Sequence, residues 1–308
     1  MWGWSVALYL FFGGLSAGSF VFAAVLQLAH GMRYRRTVRI VTVCSLVFLA
    51  VGAVLLLIDV GLPLRAMDVA HSFRNVGTSW MARGAWILMG CAGVFALYAL
   101  AAMLPFGRFS LLGRRRETIL NAMGIAGIAC SFLLAGYTGM LLTDAEGIRA
   151  WSTALIPALF TVSALDTGVA FGLLVFRVAE QGREMRPGRD MWLGREMRRI
   201  VAYRFDAVLL VLVCMEAIVL AVYSMWLGSG WGLGVAGAAS LSFEAGSLAS
   251  LPVVFGLLLC AAAFGAVRFL APAGKGVLST ASSLLSIGAG ITLRFAVLAL
   301  GVHTAFLW

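Results

Sequence analysis

Long apolar runs separated by short polar, arginine-bearing segments set the pattern of this chain. A helix needs roughly 20 residues to cross a hydrocarbon core about 30 Å thick. Eight runs meet that requirement: Trp4–Leu28, Val38–Leu62, Trp80–Leu104, Thr118–Leu142, Thr153–Val178, Phe205–Leu227, Leu248–Leu270 and Leu278–Ala305. Pro63, Pro105 and Pro272 sit just past the ends of runs, where proline stops a helix at little cost. Pro157 and Pro252 fall in first turns, where the missing N–H is not needed. The predicted fold is an all-α integral membrane protein, a bundle of eight transmembrane helices in one domain over residues 1–308. The first run has no basic leader and is longer than the apolar core of a signal peptide, so it is expected to remain as a helix.

The segments between runs alternate in charge. The first carries Arg33, Arg35, Arg36 and Arg39, and the third Arg108, Arg114, Arg115 and Arg116. The fifth carries Arg183, Arg186, Arg189, Arg195, Arg198, Arg199 and Arg204, and the short seventh Arg268 and Lys275. The even segments are poorer in basic residues: Arg65 and Arg74 with Asp68, then Arg149 with Asp144 and Glu146, then Glu244. Positive residues stay on the cytoplasmic side. The odd segments therefore face inward, and both termini are expected on the outer, periplasmic side.

Composition strengthens this picture. The 308 residues are 62% hydrophobic and only 12% charged, against about 25% charged in a soluble domain. The net charge of +10 is read as a topology signal, and nucleic acid is not expected as a partner. Gly14 and Gly18, Gly90 and Gly93, Gly124 and Gly127, Gly168 and Gly172, and Gly288 and Gly290 are placed to let helix backbones approach. Gly232, Gly234 and Gly237 match a dinucleotide fingerprint in letters only, because no βαβ unit surrounds them.

Redox chemistry has few candidate ligands. The five cysteines, Cys44, Cys91, Cys130, Cys214 and Cys260, are isolated within apolar runs. They give no spacing for an iron–sulfur cluster or a zinc site, so neither cluster nor metal is expected in this chain. A haem in a bundle typically takes two axial histidines at membrane depth. The three histidines lie at helix ends (His30, His303) or in a connecting segment (His71), so no haem is expected.

Ionisable groups inside apolar runs are costly and therefore informative. Asp59 lies near the outer end of the second run, Asp166 midway along the fifth, Glu216 midway along the sixth, and Arg294 beyond the middle of the eighth. Arg177, Arg204 and Asp206 lie close to the inner surface, where long side chains snorkel. Asp166, Glu216 and Arg294 admit two readings: a buried ion pair that fixes packing, or a proton path through bound water. A second polar group collects at the outer end, with Asp59, Arg65, His71, Arg74, Asn75, Ser79, Tyr137, Thr138 and Asp144, and with Ser16 and Ser19 deeper. A hydroxyl, a carboxylate and a guanidinium beneath a membrane surface can grip a quinone headgroup. Interfacial anchoring is the alternative there, and it accounts for Trp2, Trp4, Trp80, Trp86 and Trp151.

Several stretches carry a family likeness. Tyr9-Leu10-Phe11-Phe12-Gly13-Gly14-Leu15-Ser16-Ala17-Gly18-Ser19 resembles the first helix of the polysulfide reductase membrane subunits, the NrfD/PsrC family. Ile58-Asp59-Val60-Gly61-Leu62-Pro63-Leu64-Arg65 is similar to that family's L-D-L-G-x-P-x-R turn. Ser79-Trp80-Met81-Ala82-Arg83-Gly84-Ala85-Trp86 resembles its third helix start, with Arg83 where an aromatic is common. Tyr137-Thr138-Gly139-Met140-Leu141-Leu142, Pro157-Ala158-Leu159-Phe160 and Leu293-Arg294-Phe295 follow in the family's order.

The resemblance implies a quinol-interacting membrane anchor of an anaerobic respiratory oxidoreductase in a bacterial or archaeal cytoplasmic membrane. It implies a docked ferredoxin-like iron–sulfur subunit and a catalytic partner, often a molybdopterin enzyme, which carries the terminal reaction. It places a menaquinone or menaquinol pocket in the first four-helix half, residues 1–145, formed by Ser16, Ser19, Asp59, Arg65 and Tyr137. Tyr137 would hold the headgroup, Asp59 take a proton and Arg65 orient Asp59. The second half, residues 150–308, would hold the proton path of Asp166, Glu216 and Arg294. Some relatives carry an Asn or His in the helix-one part of the pocket, where this chain has only Ser16 and Ser19. They often have a small hydroxyl residue at Asp166. A secondary transporter using the mid-membrane charges remains the rival from another class, although the repeated halves of such proteins are not evident. A purely structural anchor is the third.

Overall fold

The computed structural model describes residues 4–59, 80–103, 110–144, 149–181, 189–228, 250–270 and 276–304. Its regular structure is helical throughout: α1 (Trp4–His30), α2 (Arg35–Asp59), α3 (Trp80–Met103), α4 (Ser110–Thr143), α5 (Leu155–Gln181), α6 (Arg189–Gly228), α7 (Ser250–Leu270) and α8 (Gly276–Thr304). Seven helical segments are long and apolar enough to cross a membrane, the first of which, Trp4–Ile58, contains both α1 and α2. In a bilayer, only a helix or a closed barrel satisfies its own backbone polar groups, which is why such sequences fold this way. Pro157 and Pro252 occupy the third positions of α5 and α7, as expected.

The helices overrun the apolar runs in two places. α4 begins at Ser110 and α6 at Arg189, so arginine-bearing stretches read as connecting segments are helical. Hydropathy marks only what lipid must cover. Arg, Glu, Met and Leu are good helix formers and extend the helix beyond it. Between α1 and α2 there is only a 3-10 turn, Gly31–Tyr34. Gly31 takes φ +57°, the left-handed conformation in which a glycine closes a helix without steric cost.

α1 and α2 form an antiparallel hairpin. Ser16 and Ser45 clamp it: each hydroxyl donates to the other residue's carbonyl, at 2.7 and 3.0 Å. α1 also packs on α4, α5 and α8, and α5 on α2, α4, α6 and α8. The order α1–α2–α3–α4 closes back on α1, and α5–α6–α7–α8 closes back on α5. At the α1–α5 crossing, a Cβ on Gly18 or Gly168 would overlap the backbone of the facing helix, so only glycine permits this approach. By contrast, Gly90, Gly93 and Gly288 face open space and carry no such contact. Large apolar side chains such as Leu97, Leu133, Val178, Ile218 and Met225 point outward. That inverted surface would aggregate in water and is natural in lipid.

Candidate functional site

Two polar regions occupy different levels of the bundle. The first is a narrow, partly open cleft at the end where α1 and α3 begin and α2 and α4 finish. α1 contributes Tyr9 and Gly13, α2 Leu49, Gly52 and Leu56, α3 Gly84 and Leu88, and α4 Leu134, Tyr137, Thr138 and Leu141. Tyr137 lies directly against the backbone of Gly84, where any side chain would displace its ring. The Thr138 hydroxyl is occupied within its helix, donating to the Ala135 carbonyl at 2.6 Å. The Tyr137 hydroxyl has no hydrogen-bond partner among the described residues. An apolar slot with an unengaged phenol on its wall suits a flat, mostly apolar ring bearing oxygens.

The residues assigned to this end from sequence do not all meet there. Tyr137 lines the cleft. Asp59 is the last residue of α2, one turn beyond the cleft-lining Leu56, and its side chain lies outside the described residues. Arg65, His71, Arg74, Asn75 and Ser79 lie outside them as well. Ser16 is engaged in the hairpin clamp, and Ser19 is buried with no partner for its hydroxyl among the described residues. Neither serine lines the cleft. Trp4 and Trp86 are exposed, as interfacial anchors should be. Trp151 is not an anchor: it is buried, and its indole N–H donates to the Val297 carbonyl at 2.8 Å.

The second region is a charge cluster in the middle of the bundle. Asp166 of α5, Glu216 of α6 and Arg294 of α8 are all fully buried. Asp166 neighbours Glu216 and Ser286, Glu216 neighbours Ser163, and Arg294 lies within charge reach of both acids. Arg294 donates from Nη1 to Ser163 Oγ at 3.0 Å and to the Gly290 carbonyl at 2.7 Å, with a longer Nε contact to the Leu10 carbonyl at 3.4 Å. Its guanidinium sits between the rings of Phe11 and Phe160, at 5.5 and 5.4 Å. Gly14 leaves the room for it, since a Cβ there would fall 2.7 Å from Nη2. All four carboxyl oxygens, Arg294 Nη2 and Ser286 Oγ are buried without a hydrogen-bond partner among the described residues.

A third polar knot ties the opposite end of α5–α8. Asp206 pairs with Arg177 at 2.5 Å and also with Arg268. Ser279 donates to Asp206 at 2.5 Å and accepts from Arg268 at 2.8 Å and from Arg177. Arg177 and Asp206 are thus engaged in a shared ion network, where the sequence suggested snorkelling.

Comparison with known proteins now decides the family. The model of the family described as Polysulphide reductase, NrfD, matches residues 1–305. The chain belongs to the NrfD family. Similar proteins include a polysulfide reductase component of Wolinella succinogenes, 26% identical over 184 residues, covering 57% of this chain and 58% of that one. A putative dimethyl sulfoxide reductase membrane subunit of Halobacterium salinarum is 26% identical over 190 residues, 58% of this chain and 44% of that one. A selenate reductase subunit of Mesobacillus selenatarsenatis is 26% identical over 202 residues, 57% of this chain and 47% of that one. The chain spans about half the length of these relatives. With the helices described above, membership makes it a multi-pass membrane protein.

Several residues of this NrfD chain at or beside these sites are given no role from the sequence. Tyr9 shares the cleft with Tyr137, and its signal was an aromatic four residues before Gly13 on the same helix face. Ser279, Ser283, Ser286, Gly290 and Arg294 recur at three or four residues along α8, a helical stripe visible in the letters. Ser163 precedes Asp166 by three and so shares its face. Arg268, assigned to a connecting segment, belongs to the last turn of α7.

Proposed function

We propose that this chain is the quinol-reactive membrane subunit of a respiratory reductase complex in a bacterial or archaeal cytoplasmic membrane. In this reading α1 and α2 cross separately, giving eight spans with both termini on the outer side. The observation that carries the reading is the α1–α4 cleft, apolar on every wall and offering the unengaged Tyr137 hydroxyl. Menaquinol supplies two electrons and two protons when bound. Tyr137 fixes one headgroup oxygen, and the Gly84 backbone holds the phenol in place. Asp59, at the end of α2, accepts a proton there with Arg65 orienting it. Dispersed cysteines and histidines leave the chain without a ligand set of its own for a cluster or a haem. Electrons therefore pass to a docked iron–sulfur subunit and on to a catalytic, molybdopterin-type subunit. Asp166, Glu216 and Arg294 couple this exchange to proton movement from the inner side.

The test is quinol oxidation by the purified complex, with reduction of the partner's clusters as readout. Tyr137→Phe removes one hydrogen bond, worth about 1 kcal/mol, so KM for a menaquinol analogue should rise roughly fivefold while the subunits still assemble. An unchanged KM removes Tyr137 from the site. No reduction of the clusters by quinol in the wild type sinks the proposal.

A further inference from the structure

The buried cluster between α5, α6 and α8 has a charge count that geometry makes restrictive. It contains two carboxyls and one guanidinium, all fully buried. Among the described residues, the charges acting on these three groups are one another's. α5 adds only the Ser163 hydroxyl and α8 the Ser286 hydroxyl; α1 offers the Leu10 carbonyl and the Phe11 ring to Arg294. Arginine stays protonated in proteins. With both acids ionised the cluster carries a net charge of minus one inside the bundle, and with both neutral a net plus one. Only one bound proton gives neutrality. Adjacent carboxylates disfavour joint ionisation, as paired acids elsewhere do.

The hydrogen bonding leads to the same count. All four carboxyl oxygens are buried, and among the described residues only the Ser286 hydroxyl beside Asp166 and the Ser163 hydroxyl beside Glu216 come near them, neither in close hydrogen-bond geometry. A buried acceptor left without a donor is unfavourable. A proton on one carboxyl is itself a donor to the other, and Ser286 Oγ, buried and unpartnered beside Asp166, stands ready as a second. We infer that Asp166 and Glu216 form a dyad holding one exchangeable proton between them, counter-charged by Arg294 and open to modification by an apolar carbodiimide. The dyad deepens the coupling role assigned above to the same three residues, but its charge state stands independently of any quinol.

The test uses resting membranes containing the whole complex, with no quinol added, treated with dicyclohexylcarbodiimide at neutral pH. A protonated carboxyl adds across a carbon–nitrogen double bond of the reagent. Its proton passes to nitrogen, and an acyl shift leaves an N-acylurea with no group lost. Mass spectrometry of peptides bearing residues 166 and 216 should find one adduct per chain, summed over the two sites. In Asp166→Asn or Glu216→Gln the surviving acid pairs with Arg294 as an anion, and labelling should vanish rather than halve. In Arg294→Met both acids must be neutral, and two sites should become reactive.

A survivor acid labelled at the wild-type rate would overturn the inference, because each acid would then be neutral by itself. Where a variant fails to accumulate, infrared spectra of wild-type membranes in light and heavy water decide. A carboxylic C=O band that shifts on exchange is expected, and absence of both band and adduct overturns the dyad. A labelled dyad in proteoliposomes whose quinol turnover moves no protons would retain this inference and remove only the coupling role.

Discussion

The α1–α5 crossing gives a stability test with an internal control. A methyl at Gly168 would overlap Gly18 Cα, its carbonyl carbon and the Ser19 nitrogen, all backbone atoms that cannot rotate away. Contacts of 2.1–2.4 Å would have to open to about 3.5 Å, so the two helices must part by roughly 1.1–1.4 Å, which forfeits about half of the attraction of the pairs around the crossing. About 30 such pairs at about 0.15 kcal/mol each then lose about 2 kcal/mol, within the ~1–3 kcal/mol typical of overpacking. The gain in helix propensity from Gly to Ala, about 0.5–1 kcal/mol, offsets part of it. Gly168→Ala should therefore be destabilised by about 1–1.5 kcal/mol net. Gly90→Ala meets nothing within 4 Å and should be neutral or slightly stabilised. Unfolding of both variants by dodecyl sulfate titration in mild detergent, read by circular dichroism, gives the comparison. Equal shifts for the two, or a more stable Gly168→Ala, would refute the claim that backbone contact sets this crossing.

Two further outcomes test the polar ties. Asp206→Asn leaves Arg177 and Arg268 facing each other without their shared anion. It should cost about 3–5 kcal/mol in the same unfolding assay, and adding Arg268→Gln should recover part of the loss; no recovery would mean the two arginines do not repel. A double-mutant cycle of Ser16→Ala and Ser45→Ala should give a coupling of about 0.6–1.7 kcal/mol, and a coupling near zero would show that the reciprocal bonds do not hold the hairpin.

What the sequence made legible follows from which forces act locally. Lipid demands long apolar runs, so each of the eight α-helices among the described residues overlaps a run visible in the letters, and prolines fall just past some of their ends. Helix ends outside lipid answer to no such demand, which is why α6 runs back to Arg189 while hydropathy begins it at Phe205. The chemistry-bearing residues Asp166, Glu216 and Arg294 stood out as costly charges, but their meeting depends on how α5, α6 and α8 rotate about their axes. Nothing local fixes that rotation. Ser16 looked like a ligand group because its partner Ser45 lies on another helix, 29 residues away. Trp151 shows the same limit, since its buried bond to Val297 crosses 146 residues.

The arginines at the start of α2 carry a consequence for assembly. Arg39 donates to the carbonyls of Ala102 and Met103, and Arg35 to that of Ala102, closing the C-terminal end of α3. These acceptors emerge from the ribosome 63 residues or more after the arginines that need them. The closure of α3 by these arginines therefore cannot form while the chain holds α1 and α2 alone, and waits for α3 to be made. Swapping these arginines for lysine would preserve the positive charge while removing the forked donor that latches α2 to α3.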